Sequence, residues 1–254
     1  MKAIVRGAAR SVCRVLVQNP IGRFVVRREL ARLAGEPWSA QLVSDFIEGG
    51  YGACYGVSAD ERRNLVRRFR QNTETIQSGT SPLVHLLLAR AILSIPPDVA
   101  GDIIECGVWK GASTASLSIV CSRVGRRLVV CDSFEGLPDD GLKRHTGLHT
   151  GVYGHYQEGM FRGAEQEVRA NVERCGAIEA CTFVKGFFNE SLRQLSSPIS
   201  FAFLDVDLES SMRDCLRHIW PLLVDGGYVY TDDAGDLDVV KVFFDDPWWR
   251  ETLG

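Results

Sequence analysis

Gly101-Asp102-Ile103-Ile104-Glu105-Cys106-Gly107-Val108-Trp109-Lys110-Gly111 is the stretch on which the fold turns. Asp102–Cys106 is a short apolar run of strand length. Two glycines follow it, and Ala112–Arg123 then has the spacing of a helix. Strand, glycine turn and helix in that order open a wound α/β unit.

The same rhythm continues downstream. Arg127–Cys131 is predicted as a strand, and a Gly- and His-rich loop spans roughly 136–160. Gly163–Cys175 reads as a helix, Cys181–Lys185 as a strand and Asn189–Leu195 as a short helix. Phe201–Leu204 and Tyr228–Thr231 are strands, with helices at Glu209–Leu223 and Leu237–Phe244. The order βαβαβαβαβα predicts a Rossmann-like, doubly wound parallel sheet with helices on both faces.

Upstream, residues 1–95 read as a helical extension and lid, and 96–254 as the sheet domain. Ser58-Ala59-Asp60-Glu61 is a helix-start signal before Arg62–Arg70. Pro82 starts a second helix that runs to about Leu93 and stops before Pro96-Pro97. Residues 1–35 hold eight Lys/Arg against the single acid Glu29. Arg6, Arg10 and Arg14 fall on one helix face. Such a face packs on its own domain or meets an anionic surface or an acidic partner.

At 254 residues the chain is long enough for a real core. Its 45% hydrophobic and 24% charged residues exclude disorder and a disulfide mini-scaffold. A net charge of −3 argues against a nucleic-acid binder. No run of about 18 apolar residues predicts a membrane span. Eight cysteines without a C-x-x-C pair read as buried thiols of a reduced, cytoplasmic protein.

In this architecture ligands bind beyond the carboxyl ends of the strands. After the first strand, Gly107 and Gly111 let backbone approach a ligand, and Glu105 stands where a dinucleotide fingerprint requires glycine. A pyrophosphate is disfavoured there and a cationic group is welcome, which removes a nicotinamide dehydrogenase from consideration. Asp132 ends the second strand, where it either accepts ribose hydroxyls or caps a turn. Phe187 and Phe188 follow the third strand and either flank an aromatic ring or join the core. Asp205 and Asp207 follow the fourth strand, Asp232 and Asp233 the fifth. Four carboxylates on one rim repel unless a hard cation such as Mg²⁺ or Ca²⁺ relieves them. Asp205, Asp232 and Asp233 are the best three ligands, and Asp207 is placed to ligate, orient or act as base.

Taken together, these stretches resemble the class I S-adenosylmethionine-dependent methyltransferases, and within them the macrocin O-methyltransferase family. The resemblance is carried by Gly101–Gly111, Asp132-Ser-Phe-Glu-Gly-Leu-Pro138, Phe183–Phe187, Leu204–Asp207 and Pro221–Asp233, over roughly residues 78–245. It implies methylation of a hydroxyl on a sugar or glycosylated natural product. Glu105 and Gly107 would then lie by the methionine part of S-adenosylmethionine, with Trp109, Gly111 and Ser113 also at the cofactor. Asp132 would hold the ribose, with Ser133 and Phe187 near the adenine. Ser78-Gly79-Thr80 would precede a helix closing over the cofactor. Asp205, also counted at the cofactor, would bind Mg²⁺ with Asp232 and Asp233.

Methyl transfer to a hydroxyl needs a base. Histidine suits it near neutral pH, which makes His145 and His149 candidates beside Asp205 and Asp207. His155 lies in the same loop. His85 and His218 sit in helices and read as structural. Two features depart from the family pattern. Leu208-Glu209 replaces an aromatic pair, and the usual C-terminal antiparallel hairpin is expected to be missing before Gly254. An exposed sheet edge would invite cover, and a homo-oligomer is an open expectation. The competing reading is a catalytically silent methyltransferase fold serving as a binding or scaffold partner. It leaves the clustered carboxylates without a purpose.

Overall fold

A computed structural model of the chain describes residues 40–141, 146 and 156–253. The basic segment with Arg6, Arg10 and Arg14 lies outside these residues, as do His145, His149 and His155. The chain divides into one unit at 1–49 and another at 50–254. In the first, the described residues form a helix over 40–48.

In the second unit two helices precede the sheet: α1 (Ala59–Thr75) and α2 (Pro82–Ser94). The start signal at Ser58 forms a full capping box. The Ser58 hydroxyl accepts from the Glu61 amide, and Glu61 accepts from the Ser58 amide. This satisfies two amides that a helix start leaves unpaired. Ser81 caps α2, with Pro82 in its first turn, where the missing N–H costs nothing.

The sheet follows: β1 (Asp102–Cys106), α3 (Ala112–Val124), β2 (Leu128–Asp132), α4 (Glu165–Cys175), β3 (Cys181–Lys185), α5 (Phe188–Ser191), β4 (Ile199–Leu204), α6 (Glu209–Ile219), β5 (Leu223–Thr231), α7 (Leu237–Val242) and α8 (Asp246–Leu253). The strand order is β3-β2-β1-β4-β5, with every pairing parallel. The expected doubly wound sheet is therefore present. Among the described residues no antiparallel strand joins it.

Alternation along the strands sorts the side chains. Ile104, Cys106, Val129, Cys131, Ala202 and Leu204 pack with Met212, Cys215, Leu216, Val239 and Val242 on the α6–α7 side. Ile103, Glu105, Leu128, Val130, Phe201 and Phe203 point to the other face. Asp132 shares their parity, and Asp205 and Asp232 continue it just past β4 and β5.

Several boundaries shift by a residue or two, and two differ markedly from expectation. The helix expected to reach Leu223 ends at Ile219. Pro221 has no N–H to give the helix ladder, and a 3-10 turn over Trp220–Leu222 leads directly into β5. That strand begins five residues early. Ile199 pairs with Leu223 but Phe201 with Tyr228, so β5 bulges through Asp225-Gly226-Gly227, with Gly226 at φ 77°. Seven described cysteines are free thiols, four of them buried and Cys54 exposed.

Candidate active site

The loops past the strands interlock at the carboxyl rim. Gly107 has φ 82°, and a Cβ there would stand 1.9 Å from the Asp205 carbonyl oxygen. Glycine is thus required where the loops after β1 and β4 meet. Gly111, at φ 83°, precedes α3, and its missing side chain leaves room for Val168 of α4. Non-glycine residues also hold left-handed backbone just past strands: Trp109 at φ 46°, Phe134 at φ 58° and Asp207 at φ 61°. Such strain persists where surrounding packing enforces it, and it concentrates at functional sites.

Glu105 is fully buried on the α3 face. Neither carboxylate oxygen has a hydrogen-bond partner. Burial pushes its pKa up to about 7. The nearby hydroxyls of Ser113 and Thr114 pull it back, although neither reaches hydrogen-bond geometry. A buried carboxylate without a partner is costly to the fold unless something else meets it.

Asp132 is buried and already in use. Its Oδ2 accepts from the Val108 amide at 2.8 Å and its Oδ1 from the Phe134 amide at 2.6 Å. The turn-cap role is therefore real. A carboxylate offers about four acceptor sites, so hydroxyl binding is not exhausted. Burial raises its pKa against these amides. Ser133 closes its own turn, donating to the Gly136 carbonyl and accepting from the Glu135 amide. Phe187 is exposed at the start of α5, while Phe188 packs against the core.

Ser78 donates to the Thr80 carbonyl at 2.8 Å. Gly79, between them, faces the Trp109 ring, with 4.0 Å from its Cβ position to Cε3. The turn before α2 thus lies against the loop after β1.

The acidic rim is brought together as expected, with unequal duties. Asp233 is buried, and its Oδ2 accepts from the Val206 amide at 3.0 Å. Burial and neighbouring Asp207 raise its pKa to about 7. Asp205 is raised well above the ordinary range by burial and by Asp233, Asp232, Asp207 and Glu105. Asp232 is exposed. Among the described residues no three His, Cys, Asp or Glu side chains are gathered closely enough to hold a metal ion. Asp233 is turned to backbone amides instead. The donor chemistry still suits a hard cation: oxygen ligands on separate loops whose charges oppose one another.

Tyr156 and Phe161 are not among the residues singled out from the sequence. Phe161 stands edge-on between Trp109, at 5.6 Å, and Tyr156, at 6.3 Å. Burial and the charges of Asp207 and Asp236 hold the Tyr156 phenol protonated, its pKa well above the ordinary value. These rings carry the rim from the β1 loop to Asp207. The Trp109–Phe161 contact spans 52 residues, so no local pattern reveals it.

A profile of the Macrocin-O-methyltransferase (TylF) family matches residues 83–252. The chain belongs to the macrocin O-methyltransferase family. Two curated relatives are a Streptomyces olivaceus 8-demethyl-8-(2,3-dimethoxy-alpha-L-rhamnosyl)-tetracenomycin-C 4'-O-methyltransferase and a Streptomyces niveus demethyldecarbamoylnovobiocin O-methyltransferase. The first is 35% identical over 140 residues, covering 53% of each chain. The second is 31% identical over 143 residues, covering 54% of this chain and 53% of the relative. The chain thus spans about half the length of the curated relatives it matches. Among solved structures, the O-methyltransferase NovP has a TM-score of 0.57 at 24% identity, over 67% of this chain and 72% of that one. The calicheamicin methyltransferase CalS11 has a TM-score of 0.50 at 20% identity, over 93% and 86%. Both likenesses speak to the fold. No helix among the described residues of this family member is long and apolar enough to cross a membrane.

Proposed function

We propose that this protein is an S-adenosylmethionine-dependent O-methyltransferase acting on a hydroxyl of a sugar carried by a natural product. The observation that carries the cofactor is Glu105: a fully buried carboxylate with no protein partner, at the end of β1 beside Gly107. Such a group suits a ligand ammonium, which would satisfy both oxygens and reverse the rise in pKa. Family membership supports the reaction type. The names of the two relatives support the acceptor class, since one is a methyltransferase of a rhamnosyl-tetracenomycin.

When bound, the cofactor supplies a methyl group on a sulfonium, open to direct displacement. The chain supplies placement. Glu105 takes the ammonium, and Gly107, Trp109, Gly111 and Ser113 shape the pocket around it. Asp132 holds the ribose, while Ser133 and Phe187 lie by the adenine. Ser78 and Thr80 cover the pocket from the α2 side. Holding the acceptor oxygen in line with the methyl accounts for much of the rate in such transfers.

The acceptor hydroxyl must also lose its proton. Asp207 and Asp205 stand on the rim as base candidates, with His145 and His149 the alternatives. We assign a divalent cation, Mg²⁺ by donor type, to Asp205, Asp232 and Asp233. It would acidify and orient a hydroxyl, and Asp233 would ligate it through acceptor sites that the Val206 amide leaves free.

The test is calorimetric titration of S-adenosylhomocysteine into chelator-treated protein, repeated with Mg²⁺ and sugar acceptors. Micromolar binding is expected. Absence of binding at high protein concentration would sink the enzyme reading for this chain.

A further inference from the structure

We infer that His85 is a positioning residue that fixes the Ser78–Thr80 turn over the cofactor loop through a buried chain of hydrogen bonds. His85 is completely buried in α2. Its Nε2 lies 2.8 Å from Thr80 Oγ1, and its Nδ1 lies 3.0 Å from Ser116 Oγ of α3. Ser116 in turn lies 3.0 Å from the Asn72 side-chain amide of α1.

The direction of the chain is set at its far end. With the Asn72 nitrogen donating to the carbonyls of Arg68, at 3.2 Å, and Cys175, at 3.3 Å, its oxygen accepts from Ser116. Ser116 then accepts from His85 Nδ1–H, and His85 Nε2 is left to accept from Thr80. Burial keeps the ring neutral, with its pKa lowered to about 4, so it has one donor and one acceptor, as this order needs. Every link is spoken for, and a satisfied buried network specifies one geometry.

At the near end the chain meets the site. Thr80 is buried, and its carbonyl accepts from Ser78 while its hydroxyl is held by His85. The turn so pinned faces the Trp109 ring across Gly79. His85 therefore relays the packing of α1, α3 and α4 to the turn before α2, which leans on the β1 loop. The inference rests on reading that loop as the S-adenosylmethionine site.

The two ring nitrogens can be tested separately. A glutamine amide reaches the Nε2 end, and an asparagine amide stops at the Nδ1 end. S-adenosylhomocysteine affinity is to be measured calorimetrically for wild type, His85→Gln, His85→Asn, Thr80→Val and Val66→Ala, with thermal midpoints for each. Val66 is buried in α1 outside the chain of bonds and reports a pure loss of packing. Loss of the Thr80 bond in His85→Asn and Thr80→Val is expected to weaken binding about five- to tenfold. His85→Gln and Val66→Ala should remain within about twofold of wild type. Thr80→Val carries the test if the asparagine variant does not fold. Equal affinities in the Gln and Asn variants, or affinities that follow thermal midpoint across the set, would overturn the positioning role. Failure of wild type to bind would overturn the functional reading beneath it.

Discussion

The position a Cβ would take on Gly107 is 1.9 Å from the backbone oxygen of Asp205 and 2.9 Å from its carbonyl carbon. The loop after β1 and the loop after β4 that bears Asp205 and Asp207 are therefore in backbone contact. Neither can move without the other. Gly107→Ala adds a clash to the penalty of φ 82°, and a loss above about 3 kcal/mol is expected. Gly125 is the control, with φ 68° and nothing within 4 Å of its Cβ position. Gly125→Ala should cost about 1 kcal/mol, from backbone strain alone. Urea unfolding of both variants measures the difference, and equal losses would remove the contact from the explanation.

Glu105 opposes stability in the free protein. Its pKa rises from 4.5 to about 7 on folding. The folded state therefore binds the proton more tightly, so stability falls as pH rises from about 4.5 to about 7 and then levels. Glu105→Gln removes this cost and should stabilise the free protein above pH 7 by up to about 3 kcal/mol. The same variant should bind S-adenosylhomocysteine at least about tenfold more weakly. Near pH 6.5, wild type should release a proton on binding, visible by calorimetry in buffers of different ionisation enthalpy. A glutamine variant that gains no stability would refute the burial argument.

His85 has the opposite dependence. Its pKa falls from 6.5 to about 4 on folding because charging the buried ring is costly. The unfolded chain takes the proton first, so stability is complete above about pH 6.5 and is lost as pH falls toward 4. The loss should approach about 3 kcal/mol. Glu105 contributes the opposite slope over much of this range, so chemical denaturation at pH 7, 5.5 and 4.5 checks the difference between wild type and His85→Gln, with wild type losing stability relative to the variant as pH falls.

The acidic rim predicts a response to cations. Beyond burial, Asp233 and Asp232 raise the pKa of Asp205, and Asp207 and Asp232 raise that of Asp233, and a bound cation would relieve that repulsion. Millimolar Mg²⁺ should raise the thermal midpoint of wild type by a few degrees, and a chelator should reverse it. Asp205→Asn and Asp232→Ala should abolish the response. If Asp232→Ala left both the response and turnover intact, Asp232 would be no ligand.

Much of this was legible in the chain. The period-2 and helical patterns located five strands and the parallel winding, because each strand is a short apolar run set off by turns. Glu105 was readable as misplaced for a dinucleotide site, since the residue type alone decides that. Ser58 and Glu61 announced their helix because capping is local. The early start of β5 was hidden, as Asp225-Gly226-Gly227 looks like a turn until Ile199 is there to pair with Leu223. Tyr156 and Phe161 carried no signal either.

The sequence by itself determined the wound sheet, the strand-end positions of Glu105, Asp132, Asp205 and Asp232, and the family. The sheet and the strand-end positions follow from alternation and local turn chemistry, which neighbouring residues decide among themselves; the family came from the resemblance of the motifs at those strand ends. Only the tertiary structure decided what each acid is doing: Glu105 buried without a partner, Asp132 bridging two loops, Asp233 holding the Val206 amide. It also made His85 the middle of a chain from Asn72 to Thr80. Burial and hydrogen-bond partners come from residues distant in sequence, and an ionisable group takes its pKa and its role from those surroundings.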